Sequence, residues 1–363
     1  MKMTQQEKNW VLYDVGNSAF TLLAATILPI YFNYIAGNQG LSDVQYLAYW
    51  GYAVSIATLI TALAGPVFGT LADTKGYKKP IFTVALGIGA VASLVLGFTK
   101  YWLIFLIIFV VAKVGYSVTL VFYDSMLVDV TSEDRMDEIS SQGYAWGYIG
   151  SCVPFVFCLV VVLNAAKFGS TMEMAMMISF VIITAWWVIM TLPLLKTYHQ
   201  KHYVEKKQDA FAESFKRIGV TLKNAKKEKK VFLFLLSFFF YIDGVYTIID
   251  MATAYGSALG LSSTGLLLAL LLTQIVAFPF AIIFGRLAQK YSAEKLITIC
   301  IVAYLGVAIF AIFLHYQWQF WVLAVWVGMF QGGVQALSRS YFTKIIPANQ
   351  SGEFFGLMDI CGT

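Results

Sequence analysis

The stretch Gly69-Thr-Leu-Ala-Asp73-Thr-Lys75-Gly76-Tyr-Lys78-Lys79 is a short polar interruption between two long apolar segments, residues 45–72 and 80–99. Gly69 lies one helical turn before Asp73 on the same face, which would allow another backbone to approach the carboxylate. Gly76 permits a tight reversal of the chain, and three lysines gather positive charge beside it. The pattern predicts two membrane-spanning helices joined by a tight polar loop at one membrane surface.

Composition supports this prediction along the whole chain. Hydrophobic residues make up 59% of the sequence and charged residues only 12%, which is about half of the usual globular share. Apolar runs of about twenty residues or more recur, and each is long enough to cross a hydrocarbon core about 30 Å thick. A soluble globular protein is excluded, and the helical lengths exclude an outer-membrane barrel. The sequence therefore predicts an all-α polytopic membrane protein.

The distribution of basic residues predicts the orientation of the spans. Only Lys100 and Lys167 fall in odd-numbered loops, and Lys113 lies inside a span; the other 22 of the 25 Lys and Arg lie at the N-terminus or toward even-numbered loops. By the positive-inside rule, the N-terminus and the even loops are cytoplasmic. The short termini and compact loops favour a bacterial plasma (inner) membrane.

The order of the apolar segments predicts three regions. Residues 1–195 hold six spans, residues 196–230 form a basic cytoplasmic linker with a partly amphipathic middle at 211–222, and residues 231–363 hold the remaining spans. The full spans seven to ten are expected at residues 231–256, 263–287, 295–315 and 318–346. The last apolar segment has only begun at Thr363, so we expect the chain to stop in the eleventh span.

An internal repeat explains this arrangement. Gly285-Arg-Leu-Ala-Gln289-Lys290-Tyr-Ser-Ala-Glu-Lys295 is a weak copy of the polar loop at Gly69, 216 positions later, and its acid is replaced by Gln289. A repeat of this kind predicts two parallel bundles of six helices, each an inverted three-plus-three repeat. The gate that the two loops form should be asymmetric, because the second loop lacks the acid.

The polar loop resembles the signature between the second and third helices of major facilitator superfamily transporters, G-x-x-x-D-x-x-G-x-[KR]-[KR]. Three further motifs, at residues 10–20, 335–340 and 353–357, are similar to the autophagy-related vacuolar amino-acid effluxer family and its bacterial branch. The resemblance implies a major facilitator fold of two six-helix bundles and secondary transport. For the fungal members it also implies export of amino acids from the vacuole, whereas the bacterial branch has no firmly implied substrate.

The resemblance also implies that spans one, four, seven and ten line a central cavity, and the polar residues concentrate on these spans. An intramembrane charge is costly and normally faces a cavity or a partner. The candidate substrate-binding or coupling residues are Tyr13, Asp14, Asn17, Lys113, Tyr116, Asp124, Asp243, Tyr246, Asp250, Gln331, Gln335 and Arg339.

Depth in the membrane suggests which of these residues are partners. Lys113 and Asp243 should both lie near the midplane, where an ion pair would neutralise two costly charges. Asp14 and Asp124 should lie at a similar depth nearer the cytoplasmic end. If they are close, their repulsion would favour a proton on one of them, as a proton-coupling site requires. Two plainer interpretations remain: that Asp14 is only a first-turn acid stabilised by the helix dipole, and that Arg339 only extends to the cytoplasmic surface.

The candidate gating residues are Gly69, Asp73, Gly76, Lys78, Lys79 and Arg135. We expect Asp73 to accept hydrogen bonds from a helix N-terminus in the opposite half, near residues 352–355. An additional ion pair between Asp73 and Arg135 is also expected. Together these contacts would close the cytoplasmic side of the cavity.

The sequence offers no support for an enzyme. The three histidines lie outside the spans, no phosphate-binding G-x-x-x-x-G-K-[ST] motif is present, and neither a metal, a cofactor nor a nucleic-acid partner is expected. We therefore expect a monomeric secondary transporter in the lipid bilayer, which moves a small polar solute such as an amino acid by alternating access and is coupled to protons. The alternative is a non-transporting membrane sensor or a lipid scramblase on the same fold.

Overall fold

The computed structural model describes residues 2–165, 167, 169–205 and 229–362. Most of the expected linker, including its amphipathic middle, lies outside the described residues. The side chains that are also not described within helices are those of Asp43, Asp250, Thr253, Ala254, Ser257, Ala258 and Ser263.

The described chain is helical nearly throughout, which confirms the predicted all-α class. The long helices are α1 (Gln5–Asn38), α2 (Asp43–Ala72), α3 (Lys78–Leu96), α4 (Trp102–Ser125), α5 (Met136–Leu163), α6 (Met172–Thr197), α7 (Lys229–Ala258), α8 (Ser263–Leu287), α9 (Ala293–Ile312), α10 (Gln317–Ile345) and α11 (Ser351–Gly362). Of the described helices, the ten from α1 to α10 are long and apolar enough to cross a membrane. A single helical turn, Leu127–Val130, follows α4.

Several helices begin where the sequence provides a side-chain cap. Thr4 accepts a hydrogen bond from the Glu7 backbone, and the Glu7 carboxylate accepts one from the Thr4 backbone at 2.7 Å. Ser42 and Gln45 form the same reciprocal pair at the start of α2. These bonds satisfy backbone donors that have no partner inside the helix. The long apolar segments therefore have sharply defined starts at both membrane faces.

Two main clusters of buried apolar residues hold the helices together. The larger cluster is formed by residues between Trp10 and Tyr198, and the second by Val121 and residues between Val231 and Met358. We refer to α1–α6 as the N-terminal half and to α7–α11 as the C-terminal half. The halves meet where α2 packs on α11, and where α5 packs on α8 and α10.

Glycines bring α2 and α11 into backbone contact. A Cβ atom on Gly356 would lie 2.5 Å from the Gly65 carbonyl oxygen, and one turn away Gly69 faces Gly352 equally closely. Both helices therefore present a small-x-x-x-small pair to each other, which is the pattern that allows membrane helices to approach most closely. At the end of α2, Gly76 has a φ of 77°, as the predicted tight reversal requires.

Candidate functional site

Arg339 of α10 is the centre of a buried charged cluster between the two halves. Its Nη1 donates to Asp124 Oδ1 of α4 at 2.9 Å and lies 3.6 Å from Asp14 Oδ2 of α1. Its Nε and Nη2 donate to the hydroxyl and the carbonyl oxygen of Ser140 on α5, both at 2.9 Å. One guanidinium thus joins α10 to three helices of the N-terminal half. Its side chain is only 3% exposed.

Three aromatic rings surround the guanidinium. Its carbon lies 4.3 Å from the ring centre of Tyr144, 4.7 Å from that of Trp10 and 5.3 Å from that of Tyr123. Such cation–π contacts stabilise a desolvated cation while leaving the edges of its plane for hydrogen bonds. Gly143 provides the space, because a Cβ atom there would lie 2.7 Å from Asp14 Oδ2 and 3.0 Å from Arg339 Nη2.

The two carboxylates of the cluster have different surroundings. Asp14 accepts a hydrogen bond from Tyr123 Oη at 2.9 Å and one from Asn17 Nδ2 at 3.4 Å, and its side chain is 6% exposed. Asp124 is bound by Arg339, and a quarter of its side chain remains exposed. Asp14 is therefore a counter-ion fixed inside the packing, whereas Asp124 is the more exposed of the two acids.

This geometry revises the sequence predictions for these residues. The predicted proximity of Asp14 and Asp124 is confirmed, since both lie within 4 Å of the same nitrogen, but the cation between them was not predicted. The interpretation that Arg339 extends to the membrane surface is wrong. The physical reason is that two buried carboxylates and three aromatic faces offer it a stronger environment than the lipid headgroups. Sequence reasoning also missed Tyr123, Tyr144 and Ser140.

The predicted midplane pair of Lys113 and Asp243 is not formed. Asp243 is exposed on α7 and, within the described part of the chain, makes no ion pair. The charges of Asp124 and Lys113 both act on Asp359 of α11. The depth of Lys113 in the membrane could not reveal this interaction with Asp359. Asp359 lies on α11, and the position of α11 against α2 is decided by the tertiary fold.

The remaining predicted cavity residues are distributed around this cluster. Tyr13 donates to Thr119 at 2.7 Å, and Tyr116 shares a hydrogen bond of 2.5 Å with Thr21. Gln335 accepts from Tyr148 of α5, while Gln331 is buried on α10. Tyr246 is half-buried on α7. The side chain of Asp250 is outside those described.

A second charged cluster joins α2 to α11. Asp73 Oδ1 accepts from the Gly352 backbone N–H at 2.8 Å and Oδ2 from that of Glu353 at 2.9 Å, so the predicted contact with a helix N-terminus is present. Lys78 is completely buried beside it: its Nζ lies 3.7 Å from Asp73 Oδ1 and donates to Ser351 Oγ at 2.9 Å. We name Asp73, Lys78, Ser351, Gly352 and Glu353 the α2–α11 closure.

The predicted pair of Asp73 and Arg135 is wrong. Lys78 is the cation that Asp73 contacts, because the tight turn at Gly76 folds the first residue of α3 back over the end of α2. Arg135 lies 3.2 Å from Glu7 at the start of α1 instead. Lys79 is half-buried in the first turn of α3.

A third contact joins α5 to α10. Asp137 accepts from Lys344 Nζ at 2.6 Å and from Ser340 Oγ at 2.7 Å, and Ser140 Oγ donates to the Ala336 carbonyl oxygen at 2.7 Å. The weak copy of the polar loop lies nearby: Gln289 donates to Glu138 at 3.4 Å, and Gly285 packs so closely on α5 that a Cβ atom there would lie 2.6 Å from Ser141 Cβ. The two related contacts are therefore asymmetric, as the missing acid predicts.

All three clusters lie toward the same end of the helices. This end holds the N-terminus and the loops that follow α2, α4, α6, α8 and α10, and we call it the basic face. The cross-half hydrogen bonds concentrate there. The halves are therefore closed at the basic face.

The segment that follows α6 is fastened to the basic face. Buried Asp129 accepts from Tyr198 Oη at 2.6 Å and from the backbone N–H groups of Lys201 and His202 at 3.0 and 2.9 Å. Val204 then pairs with the loop after α2, accepting from the Lys75 N–H at 3.0 Å. Burial and the nearby charge of Asp129 raise the pKa of Tyr198, so its hydroxyl stays a donor at neutral pH. We name residues 198–205 the strap.

Comparison with known proteins agrees with this architecture. The chain is 43% identical over 366 residues to an uncharacterized MFS-type transporter of Bacillus subtilis (strain 168), YxiO, with 99% of this chain and 86% of that protein covered. It is 23% identical over 374 residues to autophagy-related protein 22 of Eremothecium gossypii, with 92% and 71% covered.

Solved structures show the same fold at low sequence identity. The human organic anion transporter MFSD10 superposes with a TM-score of 0.71 at 12% identity, covering 99% of this chain and 91% of that one. The transporter FucP in its outward conformation gives 0.69 at 13% identity, covering 98% and 89%. These likenesses confirm the predicted major facilitator fold. The family model described as "Vacuole effluxer Atg22 like" matches residues 3–135 and 128–363, and the chain therefore belongs to this family of the major facilitator transporters.

Proposed function

We propose that this protein is a secondary active transporter that moves a small polar solute by alternating access and couples this movement to protons. The observation that carries the proposal is the Arg339 cluster. A buried cation of α10 is shared between carboxylates of α1 and α4 at the place where the two halves meet. Family membership and fold support transport itself, and the cluster supports the coupling.

The cluster would act as the switch between two states. If the halves separate at the basic face, α10 moves away from α1, α4 and α5, and Arg339 loses its contacts with Asp14, Asp124 and Ser140. Separating an intact buried ion pair is expensive, because each charge keeps its desolvation cost and loses its partner. A proton on one carboxylate reduces this cost, because one buried negative charge fewer then loses its cation. Protonation would therefore permit the conformational change.

The α2–α11 closure would set the resting state. Asp73 binds two backbone donors at the positive end of the α11 helix, where a carboxylate is stabilised by both hydrogen bonds and the helix dipole. This contact can exist only when α2 and α11 are together. The basic residues favour a cytoplasmic position for the basic face, so the closed arrangement would be the outward-facing state of a transporter that we propose is a monomer in the bacterial plasma membrane.

We propose that the solute is a small polar molecule. The space between the halves carries both signs of charge, hydroxyl groups and aromatic faces, which suits a small polar molecule. Amino acids are the first class to test, because a zwitterion carries both signs of charge and the sequence resembles the vacuolar amino-acid effluxer family.

Proteoliposomes with a trapped pH indicator test the function. We expect addition of a transported amino acid to change the internal pH, and an imposed proton gradient to drive its accumulation. Asp124→Asn should abolish accumulation and retain passive exchange. Asp134→Asn, at an exposed acid of the basic face, is the matched control and should behave as the unchanged protein.

Two outcomes would overturn the proposal. Sodium-dependent uptake without proton movement would remove proton coupling. Equilibration of labelled lipid between the leaflets, without movement of any soluble solute, would instead identify a scramblase.

A further inference from the structure

We propose that Arg339 is the recognition site for a carboxylate of the solute, that this carboxylate takes the place of Asp124, and that the proton that Asp124 then carries enters together with the solute. The inference rests on the proposed transport function and deepens it. It names the chemical class of the solute, the residue that binds it and the direction of proton coupling.

The first step is the accessibility of the donors on Arg339. The rings of Trp10, Tyr123 and Tyr144 have their centres 4.3–5.3 Å from the guanidinium carbon, so a ligand would bind Arg339 through its N–H donors. Two of the edge donors are held by Ser140, whose side chain is fully buried. The Nη1 edge points to Asp124, and a quarter of the Asp124 side chain is exposed. A ligand entering from the space between the halves therefore meets Asp124 first.

The second step is the chemistry of the exchange. A planar carboxylate suits the N–H donors along a guanidinium edge, and Asp124 already shows that a carboxylate is accepted there at 2.9 Å. A solute carboxylate can replace it without changing the type of bond. A neutral amide keeps an acceptor but loses the charge, and an ammonium group would be repelled by Arg339. The site therefore selects acids over amides and amines.

The third step is the charge balance. With both acids ionised, Asp14, Asp124 and Arg339 sum to one negative charge, and an additional solute carboxylate would make two. Adding an unpaired charge to a buried membrane site is strongly unfavourable. A proton on Asp124 restores the original sum, and it also releases Nη1 for the solute. The solute and one proton should therefore bind together and cross in the same direction.

Asp124 is surrounded by groups that would respond to this exchange. The charged and titratable groups that face it or act on it are Tyr13 and Asp14 of α1, Tyr116 and Tyr123 of α4, Tyr144 of α5, Arg339 of α10 and Asp359 of α11, with Lys113 acting on Asp359. Asp14 is held by Tyr123 and Asn17, so it stays the permanent counter-ion while Asp124 exchanges.

Ligand binding to the purified protein tests the inference. The probes are the twenty L-amino acids, their C-terminal amides, and short mono- and dicarboxylates, with binding followed by thermal stabilisation and by calorimetry. We expect at least one carboxylate to bind, its amide to bind more than about tenfold more weakly, and its affinity to fall by up to about tenfold per pH unit as pH rises, since one proton is bound with it. Calorimetry in buffers of different ionisation enthalpy should show uptake of about one proton per ligand.

Asp124→Asn provides the sharper comparison, because asparagine imitates the protonated acid. This variant should keep carboxylate binding but lose most of its pH dependence and its proton uptake. Asp137→Asn is the matched control: Asp137 also joins the halves, through Lys344 and Ser340, but does not touch Arg339. It should retain the pH dependence. If the asparagine variant at 124 does not fold, proton uptake by the unchanged protein still decides the question.

The inference is overturned if no carboxylate in the panel binds, if amides bind as well as acids, or if binding strengthens as pH rises. Its failure differs from failure of the proposed function. Proton-coupled transport of an amine would refute carboxylate recognition alone, whereas carboxylate binding with proton uptake but no proton flux in proteoliposomes would refute coupled transport alone.

Discussion

Gly69 of α2 and Gly352 of α11 face each other so closely that a methyl group on Gly69 would lie 2.7 Å from the Gly352 carbonyl carbon. The same approach places Asp73, one turn later on α2, against the first N–H groups of α11. The glycine contact and the charged closure therefore depend on each other. Because Gly69 and Gly352 have no side chains, α2 and α11 come close enough for the Asp73 carboxylate to bind the start of α11.

Gly69→Ala should shift the protein away from the state closed at the basic face. The added methyl group cannot be accommodated without moving a backbone, and overpacking of this kind costs about 1–3 kcal/mol. Distances between spin labels at positions 133 and 290, both exposed on the basic face, should show a larger population of wide separations. Gly87→Ala is the control, because nothing lies within 4 Å of a Cβ atom there. An unchanged distance distribution would refute the closure model.

Asp73→Asn should weaken the same closure without adding bulk. Asparagine removes the charge from the α11 N-terminus and one of the two acceptors, and a hydrogen bond to a charged group contributes about 1.5–3 kcal/mol. We expect the ratio of closed to open molecules to fall by about tenfold or more, measured with the same label pair. Equal populations in the variant and the unchanged protein would mean that Asp73 has no gating role.

Arg339→Ala should be among the most destabilising single changes in the described chain. It leaves Asp14 and Asp124 close together without their cation, and breaking a buried pair in this way costs about 3–5 kcal/mol. Thermal unfolding in detergent with added lipid measures the loss. Replacing all three charges, as Asp14→Asn, Asp124→Asn and Arg339→Gln together, should recover part of the stability. A triple variant less stable than Arg339→Ala would contradict this account.

Tyr123→Phe should destabilise the protein moderately and selectively. It removes the hydrogen bond to Asp14 but keeps the ring, which stacks on Trp10 with centroids 4.3 Å apart. The expected cost is about 1.5–3 kcal/mol, because the acceptor is charged and buried. Tyr304→Phe is the matched control, since the Tyr304 hydroxyl is buried without a hydrogen-bond partner among the described residues. Its removal should be neutral or stabilising, and equal losses in both variants would argue against a special role for Tyr123.

Asp129→Ala should release the strap from the basic face. Three of its partners lie between Tyr198 and His202, and all lose their shared acceptor at once. Limited proteolysis with chymotrypsin should then cut after Tyr198 or Tyr203 several-fold faster than in the unchanged protein. Glu133→Ala, at an exposed acid on the same face, is the control. An unchanged cleavage rate would show that the strap is held mainly by its pairing with the loop after α2.

Much of the architecture followed from the sequence alone. Spans are recognisable because a helix crossing a bilayer must be long and apolar, whatever its neighbours are. The spacing from Gly69 to Lys79 predicted the turn at Gly76 and the approach of another backbone to Asp73. The similar depth of Asp14 and Asp124 also followed, since depth along a helix can be counted in residues.

Pairings between helices were decided only by the tertiary structure. Residue counting gives the depth of a side chain but not the direction it faces around the central space, so Lys113 was assigned to Asp243 although Asp359 is the acid it acts on. For the same reason Asp73 contacts Lys78 rather than Arg135, and Arg339 joins the two acids instead of reaching the membrane surface. Charges buried in a bundle take the partner that the helix rotations and crossings bring within about 4 Å, and those rotations are set by the packing of side chains far apart in the sequence.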